Sequence, residues 1–266
     1  MNPIIFGTKY FTLHTFWVFF AVGLITSIFT IIKLSVKNGL KLHFLSENSW
    51  KLILWAILGA RIIALAENYK AYFYGFNLDG FFRLFAVWDK GLNIWGALIG
   101  LILAFFFLCR KHEQNFWKWL EVFIPAIIIG LAAGHLGAFF DGTNYGSPTS
   151  LPWGVNFESP SIKYTVPIHP TQIYAFLHSA GISTLLILLN QNERIKKIEK
   201  PGFIGILGII LYGFFAFLEE FLRGDDTLMI FGIRTSQIIA LAITISAGVI
   251  LYLRYNKPNK KSKKSK

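Results

Sequence analysis

The stretch FWKWLEVFIPAIIIGLAAGHLGAFF, residues 116–140, decides the fold class. Beyond Glu121 it holds no acidic residue, lysine or arginine, and it is longer than the roughly 20 mostly apolar residues that a helix needs to cross a bilayer core. Working outward, six further stretches have the same character: 13–32, 50–67, 91–109, 170–190, 202–222 and 232–253. The expected fold is all-α, a polytopic membrane protein of seven transmembrane helices. Its seven-helix domain would cover residues 1–254, with a basic cytoplasmic tail over 255–266. Composition agrees. Of 266 residues, 54% are apolar and 15% charged, against about 25% charged in soluble domains. That balance excludes disorder, and a single cysteine, Cys109, excludes a disulfide scaffold.

The first stretch resembles a signal peptide in position only, because it is long and no small-residue cleavage site follows it. The segment from Tyr69 to Lys90 is too interrupted to span and reads as an aromatic interfacial arm. Orientation follows from the cations. With alternating spans, 18 Lys and Arg fall on one side and seven on the other, while Arg61 lies within a span. The basic side is cytoplasmic, so the N-terminus is expected outside and the C-terminus inside. The tail from Arg254 to Lys266 carries seven cations and no acid. Directly after a span, it reads as an anchor near anionic lipid, not as a nucleic-acid site. There is no glycine fingerprint for a dinucleotide, no phosphate loop with lysine, and no zinc-ligand spacing. No cofactor and no metal is therefore expected.

Placed on this topology, the polar residues inside the spans gather at their outer ends: Arg61, Asn93, Trp95, His135, Asp141, His169, Gln172, Glu219, Glu220, Arg223, Arg234 and Gln237. Ionisable groups are expensive in lipid and tend to mark function, so a polar pocket is expected in the outer half of the bundle. Pro170 suits the first helical position, where its missing N–H costs nothing. The free N–H groups that follow favour an anion and leave His169 near the cap as a candidate base. Gly96 with Gly100, and Gly130 with Gly134, are spaced for close helix approach. Pro125 is expected to kink its helix. The run from Asp141 through Asn144 and Gly146 to Pro148 is turn chemistry, and residues 151–155 (LPWGV) resemble an interfacial anchor.

These pieces, in this order, resemble the prolipoprotein diacylglyceryl transferase family. The matching segments are Gly59-Ala60-Arg61, residues 91–100 (GLNIWGALIG), residues 134–146 (GHLGAFFDGTNYG), residues 151–155, residues 169–174 (HPTQIY), Tyr212-Gly213, and Glu220-Phe221-Leu222-Arg223 with Asp226. The resemblance implies a bacterial cytoplasmic (inner) membrane enzyme with its site toward the outer leaflet. Such an enzyme moves a diacylglyceryl group from phosphatidylglycerol to the lipobox cysteine of prolipoprotein signal peptides. It implies His169, His135 and Glu220 as catalytic candidates. Arg61, Trp95, Asp141, Asn144, Gly146, Gln172, Tyr174, Tyr212 and Arg223 would contact substrate. Arg61 and Arg223 would meet the phosphate, and Glu220 would orient Arg223 or Tyr212. The chain differs from the family at His135 and Ala216, where the family carries arginine, at Ala138 and Thr143 in the signature, and at Trp95, where many members carry histidine. Two other readings stay open on the residues alone: a non-catalytic relative that binds lipid or lipoprotein precursor, and a transporter.

Overall fold

The computed structural model describes residues 4–7, 12–67, 92–157 and 162–256. The aromatic arm expected over 69–90 and most of the basic tail lie outside these residues. Among the described residues there are eight helices: α1 Thr15–Lys37, α2 Leu42–Glu67, α3 Ile94–Lys111, α4 Phe116–Asp141, α5 Thr171–Gln191, α6 Glu193–Ile198, α7 Phe203–Glu219 and α8 Thr235–Asn256. Two antiparallel hairpins accompany them, β1 Ile4–Gly7 with β2 Thr12–His14, and β3 Met229–Ile230 with β4 Ile233–Arg234. Five helices (α1, α2, α4, α5 and α8) are long and apolar enough to cross a membrane, and α7 is a shorter apolar helix. The protein is thus an all-helical polytopic membrane protein apart from the hairpins.

The chain forms two compact units, Met1–Asn38 with Trp117–Lys266, and Gly39–Phe116. The second unit is the pair α2 and α3. Gly59 stands against Gly96 and Gly100 so closely that a Cβ on any of the three would overlap the facing backbone. This is the close approach that small residues permit in lipid. α2 begins eight residues before the apolar stretch at Trp50. Its polar first turns are held by local pairs: Asn48 Nδ2 donates to the Phe44 carbonyl (2.9 Å), Lys51 Nζ to Asn48 Oδ1 (2.8 Å), and His43 pairs with Glu47 at i+4 (2.9 Å). Pairs at this spacing stabilise a helix whatever its hydropathy, and a hydropathy reading does not register them.

In the first unit, neighbouring helices alternate in direction. Phe19 near the start of α1 stacks on Phe140 at the end of α4. Asn38, past the end of α1, reaches Asn190 at the end of α5 (3.0 Å). Ile128, Ile182, Leu186 and Ile204 from α4, α5 and α7 form the buried centre. α4 continues as one helix through Pro125. Proline has no N–H to give the carbonyl one turn back, which here is that of Glu121. Asn190 Nδ2 on α5 supplies the missing bond at 3.2 Å, and Ser183 Oγ donates to the Pro125 carbonyl at 2.9 Å. Glu121 itself accepts from the Gly202 N–H ahead of α7 (2.7 Å). One proline thus ties three helices together at the end of the unit away from the site described below.

Gly130 and Gly134 of α4 do different work. Gly130 packs on Gly23 and Ser27 of α1, where Ser27 Oγ donates to the Ala126 carbonyl (2.7 Å). Gly134, expected to serve the same contact, has open space where a Cβ would stand and lines a cavity instead.

The β3–β4 hairpin turns on Phe231 and Gly232, with φ of 51° and 77°. A left-handed non-glycine residue costs about 1–2 kcal/mol, and a two-residue turn of this kind prefers Asn or Gly in Phe231's place.

Asn190→Ala is expected to remove its bond to the buried Glu121 carbonyl and to destabilise the protein by about 1–3 kcal/mol. Denaturant titration in micelles reads this, and an unchanged midpoint would contradict the role assigned to Asn190.

Candidate functional site

The candidate site residues of the first unit meet at one end, where α4 and α7 finish and α5 and α8 begin. The loop after α4 crosses this end. Asn144 takes a left-handed φ of 59°, which asparagine tolerates better than most residues. Thr171 Oγ1 donates to the Asn144 carbonyl (2.7 Å), and Gln172 Nε2 to the Thr143 carbonyl (2.7 Å). Both side chains are fully buried, so the first turn of α5 is stitched to the loop. Gly146 pairs with Arg223 and lies against His169 and Gly224 with no room for a side chain. α5 starts at Thr171 with Pro170 as its N-cap, one position later than the sequence suggests. His169 therefore precedes the cap, and its backbone is held by Ser147 and Gly146 (3.0 and 3.2 Å).

Beside this loop lies a cluster of five charges. Arg223 Nε donates to Asp225 Oδ1 (2.8 Å), Nη2 bonds Asp225 Oδ2, and Nη2 also reaches Asn144 Oδ1 (3.0 Å). Arg223 Nη1 stands 3.9 Å from Glu220 and 4.0 Å from Glu219. Arg234, at the end of β4, donates from Nε to Glu220 (2.6 Å) and from Nη2 to Asp225 Oδ1 (2.8 Å). Glu219 pairs through its other oxygen with His178 of α5 (2.9 Å), whose ring stacks on Phe215 and meets Tyr212 edge-on. Half-burial pushes the Asp225 carboxyl up, but its bonds to Arg223 and the charges of both arginines outweigh this and hold it below the usual carboxylate range. For Arg223, burial works against the charged form, and its bonds to Asp225 win and raise its proton affinity.

A cavity of about 740 Å³ opens between α1 and α4. Its body is apolar, with Phe16, Phe20, Leu24, Ile127 and Leu131, and its other end is polar, with His135, Asp141, Thr143 and Asn144. His135 Nε2 and Gln172 Oε1 are buried without a hydrogen-bond partner. On the far side of the loop, Trp153 Nε1 donates to Tyr174 Oη (2.7 Å), which lies 3.4 Å from His169 Nδ1. Trp153, expected as an interfacial anchor, is therefore also the partner of a site tyrosine. Among the described residues no group of three or more His, Cys, Asp or Glu gathers as a metal site would require.

The structure thus brings His135, Asp141, Asn144, Gly146, His169, Gln172, Tyr174, Tyr212, Glu220 and Arg223 to one end of the first unit. Arg61 and Trp95 belong to the second unit. Arg61 is buried in α2, and Trp95 is half-exposed in the first turn of α3, where Asn93 caps the helix by accepting from the Gly96 N–H (3.0 Å). Glu220 is hydrogen-bonded by Arg234 (2.6 Å) and stands at a longer 3.9 Å from Arg223. Asp225, which the sequence reading passed over in favour of Asp226, is the acceptor shared by both arginines. Asp226 is exposed and pairs with Lys163 (2.7 Å). The available signal was Arg223 two residues before Asp225 with a second arginine opening the next span.

The comparisons with known proteins decide the family. Residues 3–254 match the sequence profile of prolipoprotein diacylglyceryl transferase. The chain belongs to this family. It is 31% identical to a protein of Finegoldia magna over 97% of each chain, 28% identical to one of Clostridium tetani over 95% of this chain and 97% of the other, and 30% identical to one of Prochlorococcus marinus over 96% and 93%. All three are named phosphatidylglycerol–prolipoprotein diacylglyceryl transferase.

A carboxyl held below its usual range stabilises the fold above its unfolded pKa, about 3.9, and that stability is lost as pH falls through the lower folded value. The wild type is therefore expected to lose stability on acidification below about pH 4, and Asp225→Asn to lose stability at neutral pH while flattening that acid limb. Thermal unfolding across pH reads both, and an unflattened limb would contradict the coupling.

Proposed function

We propose that this chain transfers the diacylglyceryl group of phosphatidylglycerol to the lipobox cysteine thiol of prolipoproteins. It does so from seven membrane spans in the bacterial cytoplasmic membrane, with the N-terminus outside, the C-terminus inside and the site toward the outer leaflet. The observation that carries this reading is the cavity that is apolar along α1 and α4 and polar at Asn144, beside the guanidinium of Arg223. An amphipathic phospholipid has the same division. Its acyl chains suit the apolar wall, and its phosphate suits an arginine fork.

Asp225 clamps Arg223 through Nε and Nη2, which leaves Nη1, with its longer contacts, to meet a phosphate oxygen. Preorganised donors of this kind stabilise charge as a leaving group departs. The cysteine S–H proton passes to a histidine, the thiolate sulfur bonds the glyceryl carbon, and the carbon–oxygen bond to phosphate breaks with its electron pair on glycerol phosphate. His135, whose ring lines the cavity, is the candidate to accept the proton. His169 is placed differently. Tryptophan only donates, so Trp153 leaves the Tyr174 hydroxyl proton free for His169 Nδ1, and the neutral ring then carries its own proton on Nε2. That makes His169 a donor toward the leaving oxygen. Gly146, Gln172, Asp141 and Tyr212 shape the surrounding wall.

Purified protein given phosphatidylglycerol and a lipobox peptide is expected to yield a peptide heavier by one diacylglyceryl group. Arg223→Ala should lower kcat about 10²–10³-fold, as loss of a transition-state donor does, and His135→Gln about 10²–10⁴-fold, as loss of a general base does. Lipid that co-purifies with no mass shift at any pH from 6 to 9 would instead identify a non-catalytic relative.

A further inference from the structure

The β3–β4 hairpin has a feature that neither the site chemistry nor the packing uses. Residues 228–233 (LMIFGI) are six uncharged residues in a row. Leu228, Met229, Ile230, Phe231 and Ile233 are all exposed, and Phe231 is 100% exposed, at the very tip. That tip residue is also the one with a left-handed backbone. A bulky aromatic in that conformation is a genuine outlier, and leaving it in water forgoes the burial that would offset the strain. Among the described residues nothing offsets either cost.

The base of the hairpin is firm. Thr235 closes it by donating from its N–H and Oγ1 to the Leu228 carbonyl (3.0 and 2.7 Å). Arg234, the last strand residue, is buried in the charge cluster through Glu220 and Asp225. The depth of the hairpin is fixed by α8, which starts at the next residue. Its 22 residues make a rod of about 33 Å, close to the roughly 30 Å of a hydrocarbon core. A tip four residues ahead of such a helix lies at the edge of the apolar layer. Beyond it, Ile238, Leu241 and Ile245 are exposed along one face of α8.

We propose that residues 228–233 are a lipid-inserting finger. Phe231 enters the acyl region of the phospholipid leaflet and so sets the depth at which Arg234, Glu220, Asp225 and Arg223 meet phospholipid headgroups. The proposal rests on reading α8 as a span and the site as one that consumes a phospholipid. Its occupant is the lipid surface, not the lipobox peptide or a second copy of the chain.

The test uses the full chain in nanodiscs of phosphatidylcholine and phosphatidylglycerol. A spin label is placed at F231C and, as control, at D226C; native Cys109 is buried. The label at 231 is expected to collide more with oxygen than with a water-soluble nickel chelate, and the label at 226 the reverse. Phe231→Asn, which suits the left-handed position, should fold as well as the wild type. It should keep kcat within about twofold on detergent-dispersed phosphatidylglycerol and raise KM in nanodiscs at least fivefold. A label at 231 that reports water would overturn the proposal. So would a label immobilised only when lipobox peptide is added, or only at high protein concentration, and so would an unchanged KM in nanodiscs. Label depth is read without turnover. A chain with no transfer activity thus overturns the proposed function and leaves the finger to be judged on depth alone.

Discussion

Hydrocarbon offers no hydrogen bonds, so each polar group in a span must find its partner within the protein. The rest of this structure follows from that constraint. At one end of the first unit it is met around a proline. The carbonyl that Pro125 leaves unbonded is taken by Asn190, and the nearby N–H of Gly202 is taken by Glu121. At the other end it is met with charge. Glu219, Glu220 and Asp225 are answered by Arg223, Arg234 and the His178 ring. The first solution fastens three helices. The second fixes the two arginines in orientation while the cavity still opens toward Asn144. The end that carries the proline is therefore free to be structural, and the chemistry collects opposite it.

The charge cluster is not a cheap source of stability. Burying ion pairs costs desolvation that Coulomb attraction only partly returns. What Asp225 does is geometric. By accepting from Arg223 and Arg234 together it links the loop after α7 to the strand ahead of α8, and through Asn144 to the loop after α4. Two connections that are far apart in sequence, the loop after α4 and the segment between α7 and α8, are joined through the Arg223–Asp225 pair. A lysine at either arginine position could not hold this arrangement, because an ammonium lacks the planar fork that lets one side chain bond two acceptors in fixed directions.

Much of this was legible in the sequence. Apolar runs gave the helices, and the rule that ionisable groups in lipid are rare and purposeful gave the end of the bundle where His135, His169, Glu220 and Arg223 meet. Boundaries were less legible. α2 begins at Leu42 because His43, Glu47, Asn48 and Lys51 support one another at helical spacing, a signal that a hydropathy count reads as loop. The Gly130–Gly134 spacing could not say which glycine faces a helix and which faces space. Asp225 and Asp226 are adjacent and chemically identical, and only the path of the turn decides that one holds two arginines and the other a surface lysine.

The differences from the family pattern take on a physical meaning in this frame. Where the resemblance expects arginines, the chain has His135 and Ala216, so two cations are missing near a cluster that already carries three carboxylates. Arg234, the last residue of β4, reaches Glu220 at 2.6 Å. His178 Nε2 stands against Glu219 at 2.9 Å. Each of the three carboxylates thus has a close basic partner, although only one of those partners, Arg223, lies in a segment that carried the family resemblance. A site can keep its charge complementarity while its side chains move between helices, because the field at the cavity depends on where charges stand and not on which helix delivers them.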